Sequence, residues 1–245
     1  MRIAEKKTDI DYKETKRFFK NRSEKFSGEN PYAVTMYQDH NKELVQQRNQ
    51  KETEKLFPLL TLDADSKVLD VACGIGRWAD VLPEEISAYC GLDFSGELIE
   101  IAKQRNTRAH FSFLEGAAEE LEVTLEKHGL GKFNRVLLMG ILLYLNDREV
   151  KSVLEQVERS SEPHSLICIR EPIGIQERLT LKDFFSEELN DHYNAIYRTR
   201  QELAEFLEEA LIRKGFTVRR EGFLFEEEDL NNRKETAQYF YILER

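Results

Sequence analysis

The stretch Val68-Leu69-Asp70-Val71-Ala72-Cys73-Gly74-Ile75-Gly76 constrains this chain more than any other. An apolar run ends in an acid and passes at once into a turn with two glycines. Glycine belongs there because the backbone must turn tightly and approach a bound group with no Cβ in the way. A helix opening at Arg77 would add free N–H donors for a polar or anionic group. The next apolar run, AYCGLD (88–93), closes on Asp93, 17 residues past Gly76. An acid at a second strand tip is placed to accept hydrogen bonds from both hydroxyls of a ribose. Together these features describe a nucleoside-cofactor site at the carboxyl edge of a parallel sheet.

The rest of the chain supplies the sheet. Runs at 67–72, 88–93, 110–116, 133–140 and 165–171 are short and rich in Val, Leu and Ile. Helical patterns near 77–84, 95–106, 146–160 and 200–214 lie between and after them. Strand and helix in alternation read as a doubly wound parallel sheet with helices on both faces. Two last runs, 216–227 and 238–245, read as an antiparallel pair that closes one edge. Residues 1–62 show no strand pattern and read as a helical cap, with helices over 8–24 and 39–60 around a Gly/Asn/Pro turn. Residues 63–245 then form the main domain, with 172–199 a polar and aromatic insertion after the fifth strand.

Composition bounds the rest. The 245 residues carry 36 Lys+Arg and 46 Asp+Glu, a net charge of −10. That balance argues against the basic footprint of non-specific nucleic-acid binding. No apolar run approaches the roughly 20 residues of a membrane span, and the polar start lacks the apolar core of a signal peptide. A soluble cytoplasmic protein, monomeric or homodimeric, is expected. Cys73, Cys90 and Cys168 are odd in number and widely spaced, which favours reduced buried thiols over bridges or a metal site.

Two nucleotide folds fit poorly. A P-loop is excluded because G-x-x-x-x-G-K-[ST] occurs nowhere, and a dinucleotide G-x-G-x-x-G lacks its first glycine at Ala72. Residues 66–170 resemble the class I S-adenosylmethionine-dependent methyltransferases instead. That family's first motif is an acid followed by a G-x-G-x-G turn, which Asp70 to Gly76 matches except at Ala72. The resemblance implies a Rossmann-like, mostly parallel seven-stranded sheet whose last strand is antiparallel. It implies S-adenosyl-L-methionine as cofactor and S-adenosyl-L-homocysteine as product. Asp93 and Phe94 would meet the ribose, Gly116, Ala117 and Ala118 the adenine, and Asp70, Ala72, Gly74, Gly76, Met139 and Gly140 the methionine end and the turn. Tyr37 and Arg48, in the N-terminal segment, are candidates for the methionine carboxylate. One departure stands out: the family often has an acid where this chain has Ala117, so that side-chain contact is either missing, with backbone amides left to bind adenine, or supplied by Glu115 or Glu119.

Acceptor residues are sought at the carboxyl end of the fifth strand and in the insertion. Arg170, Tyr193, Tyr197 and Arg198, with Tyr32 from the cap, form a set suited to a phosphate, carboxylate or nucleotide- or sugar-linked acceptor. Tyr193 and Tyr197 stand i, i+4, so a helix would present them side by side. For a hydroxyl acceptor, His192 and Glu171 are the candidate bases, with His40 a further option. The expected function is methyl transfer to an oxygen or nitrogen of a small anionic molecule. The insertion also resembles that of methyltransferases in carbohydrate modification. The tetrapeptide [DNS]-P-P-[FYW] of amino-methylating nucleic-acid enzymes is replaced by MGIL (139–142). Two alternatives remain open: a non-catalytic methyltransferase-like scaffold subunit and a nicotinamide-dependent oxidoreductase.

Overall fold

The computed structural model describes residues 1–245, apart from the side chain of Glu228. In chain order the elements are β1 (Arg2–Ala4), α1 (Tyr12–Glu24), α2 (Ala33–Met36), α3 (Lys42–Leu56), β2 (Lys67–Val71), β3 (Ala88–Asp93), α4 (Gly96–Arg105), β4 (Phe111–Glu115), α5 (Leu121–Lys127), β5 (Phe133–Met139), α6 (Asp147–Arg159), β6 (Ser161–Gly174), β7 (Leu179–Ser186), β8 (Asp191–Tyr197), α7 (Arg200–Ala210), β9 (Thr217–Phe223) and β10 (Thr236–Glu244).

Seven strands form the main sheet in the order β4-β3-β2-β5-β6-β10-β9. Pairs β2–β3, β2–β5, β3–β4 and β5–β6 are parallel, whereas β10 runs antiparallel to both β6 and β9. The last strand is thus the reversed one, as expected. Central strands are covered on both faces, so β2 beyond its exposed first residue Lys67 is apolar except at Asp70. Leu69, Val71, Val136, Leu138 and Ile167 pack under α5, α6 and α7. Val68, Leu137, Cys168 and Ile242 pack on the opposite face with Leu56, Trp78 and Ile99. The three cysteines are free and buried.

Parallel register aligns the strand ends that build a site. Val71 pairs with Leu92 and with Leu138, Asp93 with Glu115, and Met139 with Arg170. The residues immediately beyond these pairs therefore emerge along one edge, where open α/β sheets bind ligands.

Two expectations are corrected here. Residues 77–84 do not form an α-helix: after the glycine turn come only turns and a 3₁₀ turn at Ala79–Val81. Pro83 lies two residues beyond, and the Arg77 and Trp78 side chains both reach sideways to Glu52 on α3. The insertion is not helical either. Its strands β7 and β8 form an antiparallel hairpin, and Arg2–Ala4 adds a third strand along β7. Three residues at the N-terminus are too few to show a strand pattern, but they cover an edge that would otherwise stand open. Beneath this small sheet lies a separate apolar cluster with Phe18 of α1, Leu143, Tyr144, Leu181, Tyr193 and Tyr197. Among the described residues no helix is long and apolar enough to cross a membrane.

Candidate active site

The turn after β2 alternates left-handed residues: Ala72 at φ +63°, Gly74 at +55° and Gly76 at +73°. Ala72 thus adopts the conformation that glycine would take at this position, with the strain a Cβ brings there. Gly74 has a second constraint, since a Cβ on it would come within 2.9 Å of Thr35 Cγ2 in the N-terminal segment. The Cys73 N–H donates to Leu92 O at 3.0 Å, locking the turn onto β3. The Gly74 and Ser95 N–H groups each donate to one oxygen of Asp93 at 2.9 Å. Asp93 is only 5% exposed, and burial lifts its carboxyl to about 6 against the pull of those two amides. Asp93 lines a cavity of about 420 Å³.

One half of that cavity is bounded by Ala72, Gly74, Asp93 and Phe94, with Leu98 beyond them. Gly116, Ala117, Ala118 and Glu119, just beyond β4, and Met139, Gly140 and Ile141, at the end of β5, line it as well. Ala117 leaves an apolar surface, while Glu119 brings the carboxylate that Ala117 lacks; Glu115 is exposed and lies outside the lining. Asp70 is placed elsewhere. Its carboxylate accepts from the Tyr89 hydroxyl at 2.9 Å inside the sheet, and burial raises it to about 7. Gly76 is also outside the lining, since its Cα faces Phe113 and Ala102.

The other half is roofed by α1, α2 and the β7–β8 turn. Tyr37, Arg48, Arg170, Tyr193 and Tyr197 line it, together with Glu52, Tyr144 and Glu188. Tyr193 and Tyr197 share one face of a strand, because i and i+4 coincide in a two-residue period as well as in a helix. Tyr37 sits in the left-handed region at φ +56°. Its loop is held by the fully buried Arg22, which donates to Val34 O and Ala33 O and pairs with Asp39. Burial pushes the Tyr37 phenol up to about 12 and those of Tyr144 and Tyr197 well above their ordinary range, so all three remain neutral. Glu52, on α3, lies between two arginines: Arg77, and Arg170 with Nε at 3.2 Å. These charges outweigh its desolvation and hold its carboxyl below the ordinary range. Arg48 is 4% exposed, donates through Nε to Leu230 O at 2.8 Å, and leaves Nη1 without a partner.

Five other residues singled out from the sequence lie off this cavity. Tyr32 donates to Asp80 at 2.8 Å and faces Arg105. His192 is 45% exposed and pairs with Asp183 at 2.9 Å, on the outer side of the hairpin. His40 is exposed as well, and no histidine lines the cavity. Glu171 is buried and accepts the Leu142 and Leu143 N–H groups at 2.8 and 3.2 Å. Arg198 is buried too, donating to Leu142 O and Leu145 O at 2.7 Å and pairing with Asp147. Glu171 and Arg198 therefore clamp the segment 142–145 that carries the Tyr144 wall. Sequence reading missed Glu52, Tyr144, Glu188 and Arg233. Only Tyr144 carried a signal, as a lone phenol at the end of FNRVLLMGILLYL.

Residues 68–164 match a family described as a methyltransferase domain. That segment is therefore similar in sequence to methyltransferase domains. Over 127 residues it is 30% identical to the demethylmenaquinone methyltransferase of Chlamydia caviae, covering 47% of this chain and 51% of that one. Over 93 residues it is 29% identical to the 23S rRNA (uracil(1939)-C(5))-methyltransferase RlmD of Aliivibrio fischeri, covering 37% of this chain and 21% of that protein. The chain thus spans about half or less of the length of these relatives. Its fold superposes on phosphoethanolamine N-methyltransferase 1 of Haemonchus contortus with a TM-score of 0.67 at 20% identity, covering 94% of this chain and 48% of that one. Asp93, the glycine turn and segment 116–118 all lie inside the matched range.

Proposed function

We propose that the protein transfers a methyl group from S-adenosyl-L-methionine to an oxygen or nitrogen of a small anionic acceptor. The observation that carries this reading is the buried Asp93 carboxylate, fixed by two turn amides and lining a cavity at the carboxyl edge of the sheet. The residues present fit the cofactor. Asp93 retains lone pairs for two ribose hydroxyls, and the slot between Phe94, Leu98 and Ala117 suits a flat apolar-faced base. Glu119 would accept from an exocyclic amine. The unpartnered Nη1 of buried Arg48 suits the methionine carboxylate, and backbone carbonyls around Ala72 and Gly140 suit the ammonium. When bound, the cofactor supplies an already activated methyl group, so binding and alignment are the main demands on the protein.

The chain's own residues then do three things. Tyr37, Tyr144, Tyr193 and Tyr197 surround the acceptor with neutral phenols that orient it by hydrogen bonds. The roof of α1, α2 and the β7–β8 turn excludes water, which strengthens every polar contact inside. Glu188, whose Oε1 is buried without a partner, is positioned to take a proton if the acceptor is a hydroxyl. This role passes to Glu188 because His192 lies outside the cavity and both Glu171 oxygens are bound to amides. The H. contortus structure holds phosphoethanolamine and S-adenosylhomocysteine, a precedent for a small phosphate ester in such a cavity. The proposed domain organisation is an N-terminal helical cap over 1–62 and a methyltransferase domain over 63–245, with 172–199 an insertion on the acceptor side. Measuring S-adenosylhomocysteine release over a panel of small amines and alcohols, each with and without a phosphate or carboxylate, tests the reading. Turnover confined to anionic acceptors is expected, and turnover of neutral acceptors alone would contradict it.

A further inference from the structure

The cavity's cations differ in how they are neutralised. Arg170 has Glu52 at 3.2 Å, and Arg48 lies in the field of Glu188. Lys16 is exposed on α1. Arg233, on the loop before β10, lines the same cavity and is only partly exposed, yet among the described residues no carboxylate lies within 4 Å of it. The nearest acid in sequence, Glu235, is paired with Arg2. Arg233 Nη2 donates to the Tyr193 hydroxyl, its guanidinium lies 5.5 Å from the Phe184 ring centroid and 5.9 Å from that of Tyr193, and Nε is buried without a partner. Nη1 makes no hydrogen bond within the described residues.

A guanidinium held between the Tyr193 hydroxyl and the Phe184 ring is restrained before any ligand arrives, so little side-chain entropy is lost on binding. Tyr193 is restrained from two sides. Its hydroxyl oxygen accepts from Arg233, and its ring packs against that of Phe18 with centroids 5.7 Å apart. A phenol oxygen that accepts still has its own O–H to give, and the Tyr193 hydroxyl donates to no group among the described residues. That hydrogen and Nη1 are two donors without acceptors on one wall, and the Asn232 side chain lines the same stretch. Donors from three separate side chains suit a group with three anionic oxygens better than a planar carboxylate.

We propose that Arg233 and Tyr193 form the subsite for a phosphoryl group of the acceptor, an assignment that rests on the methyltransferase reading above. This subsite belongs to the insertion and the loop before β10, so it lies outside the matched methyltransferase range of residues 68–164.

Titration calorimetry with inorganic phosphate, on the full chain with and without saturating S-adenosylhomocysteine, tests it. Phosphate should bind the wild type in both conditions and more tightly than acetate. Arg233→Gln should weaken phosphate by tenfold or more, Tyr193→Phe by severalfold, and Arg233→Lys should restore part of the loss. S-adenosylhomocysteine affinity should stay within twofold in all three variants, which also shows that they fold. Phosphate binding that is absent, no tighter than acetate, or indifferent to Arg233→Gln would overturn the assignment. So would a loss confined to Arg48→Gln. Failure of S-adenosylhomocysteine to bind the wild type would instead contradict the cofactor reading, and the titration without it still reads the anion subsite.

Discussion

At Ala72 a side chain occupies a backbone conformation in which L-residues are strained, at a cost of roughly 1–2 kcal/mol. The neighbouring hydrogen bond from Cys73 N to Leu92 O and the packing of Gly74 against Thr35 hold it there. Ala72→Gly should therefore raise stability by up to about 1 kcal/mol, read from the denaturant midpoint, because it removes the strain at small entropic cost. A lower midpoint would show that the Ala72 methyl contributes packing that outweighs the strain. Asp93 carries a different kind of tension, since burial raises its carboxyl to about 6 while its proposed work needs the ionised form. S-adenosylhomocysteine affinity is predicted to be flat above pH 7 and to fall as pH drops through about 6. An affinity indifferent to pH between 5 and 7 would place the ribose elsewhere.

Individual elements show how the site is held rather than what it binds. The turn at Leu142–Tyr144 has two N–H groups on Glu171 and two flanking carbonyls on Arg198. Glu171→Ala leaves both amides without acceptors and should lower stability by about 2 kcal/mol or more, measured by urea unfolding. Glu171 and Asp70 both titrate near 7, and Asp93 near 6, each raised by burial. With folded values above the unfolded ones, the native state binds more protons between about pH 4 and pH 7. Stability of the free protein should therefore decline as pH rises through that window. Replacing Asp70 by Asn should flatten the decline seen in thermal melts from pH 5 to 8. Strand β1 acts on the roof, because its pairing covers the edge of β7. Deleting residues 1–5 should speed amide exchange in 179–186 while leaving 67–71 protected. Equal loosening of both regions would mean that the two sheets open together.

Across the whole molecule, the main sheet was legible because central parallel strands must be apolar on both faces. Runs such as KVLDVA and FNRVLLMG leave little choice of period, and Asp70 and Asp93 stand out against them. The small sheet was not legible, because β1 and β7 are joined by a pairing some 180 residues long in sequence, Arg2 with Leu181. In β7 and β8 the aromatic spacing fits a strand and a helix alike. The 77–84 segment looked helical by pattern, but Arg77 and Trp78 are drawn to a buried Glu52 that local sequence cannot reveal. For the same reason the acceptor wall depends on Glu188 and Arg233, single polar residues in loops whose meaning comes only from what folds against them. The cofactor half, built from consecutive residues at strand tips, needed no such long-range information. The most direct test is calorimetric titration of S-adenosylhomocysteine into the wild type and Asp93→Ala. One site is expected on the wild type, with a loss of roughly tenfold to a hundredfold in affinity on substitution, the range for hydrogen bonds to a charged group. No binding to the wild type, or equal binding to both, would contradict it.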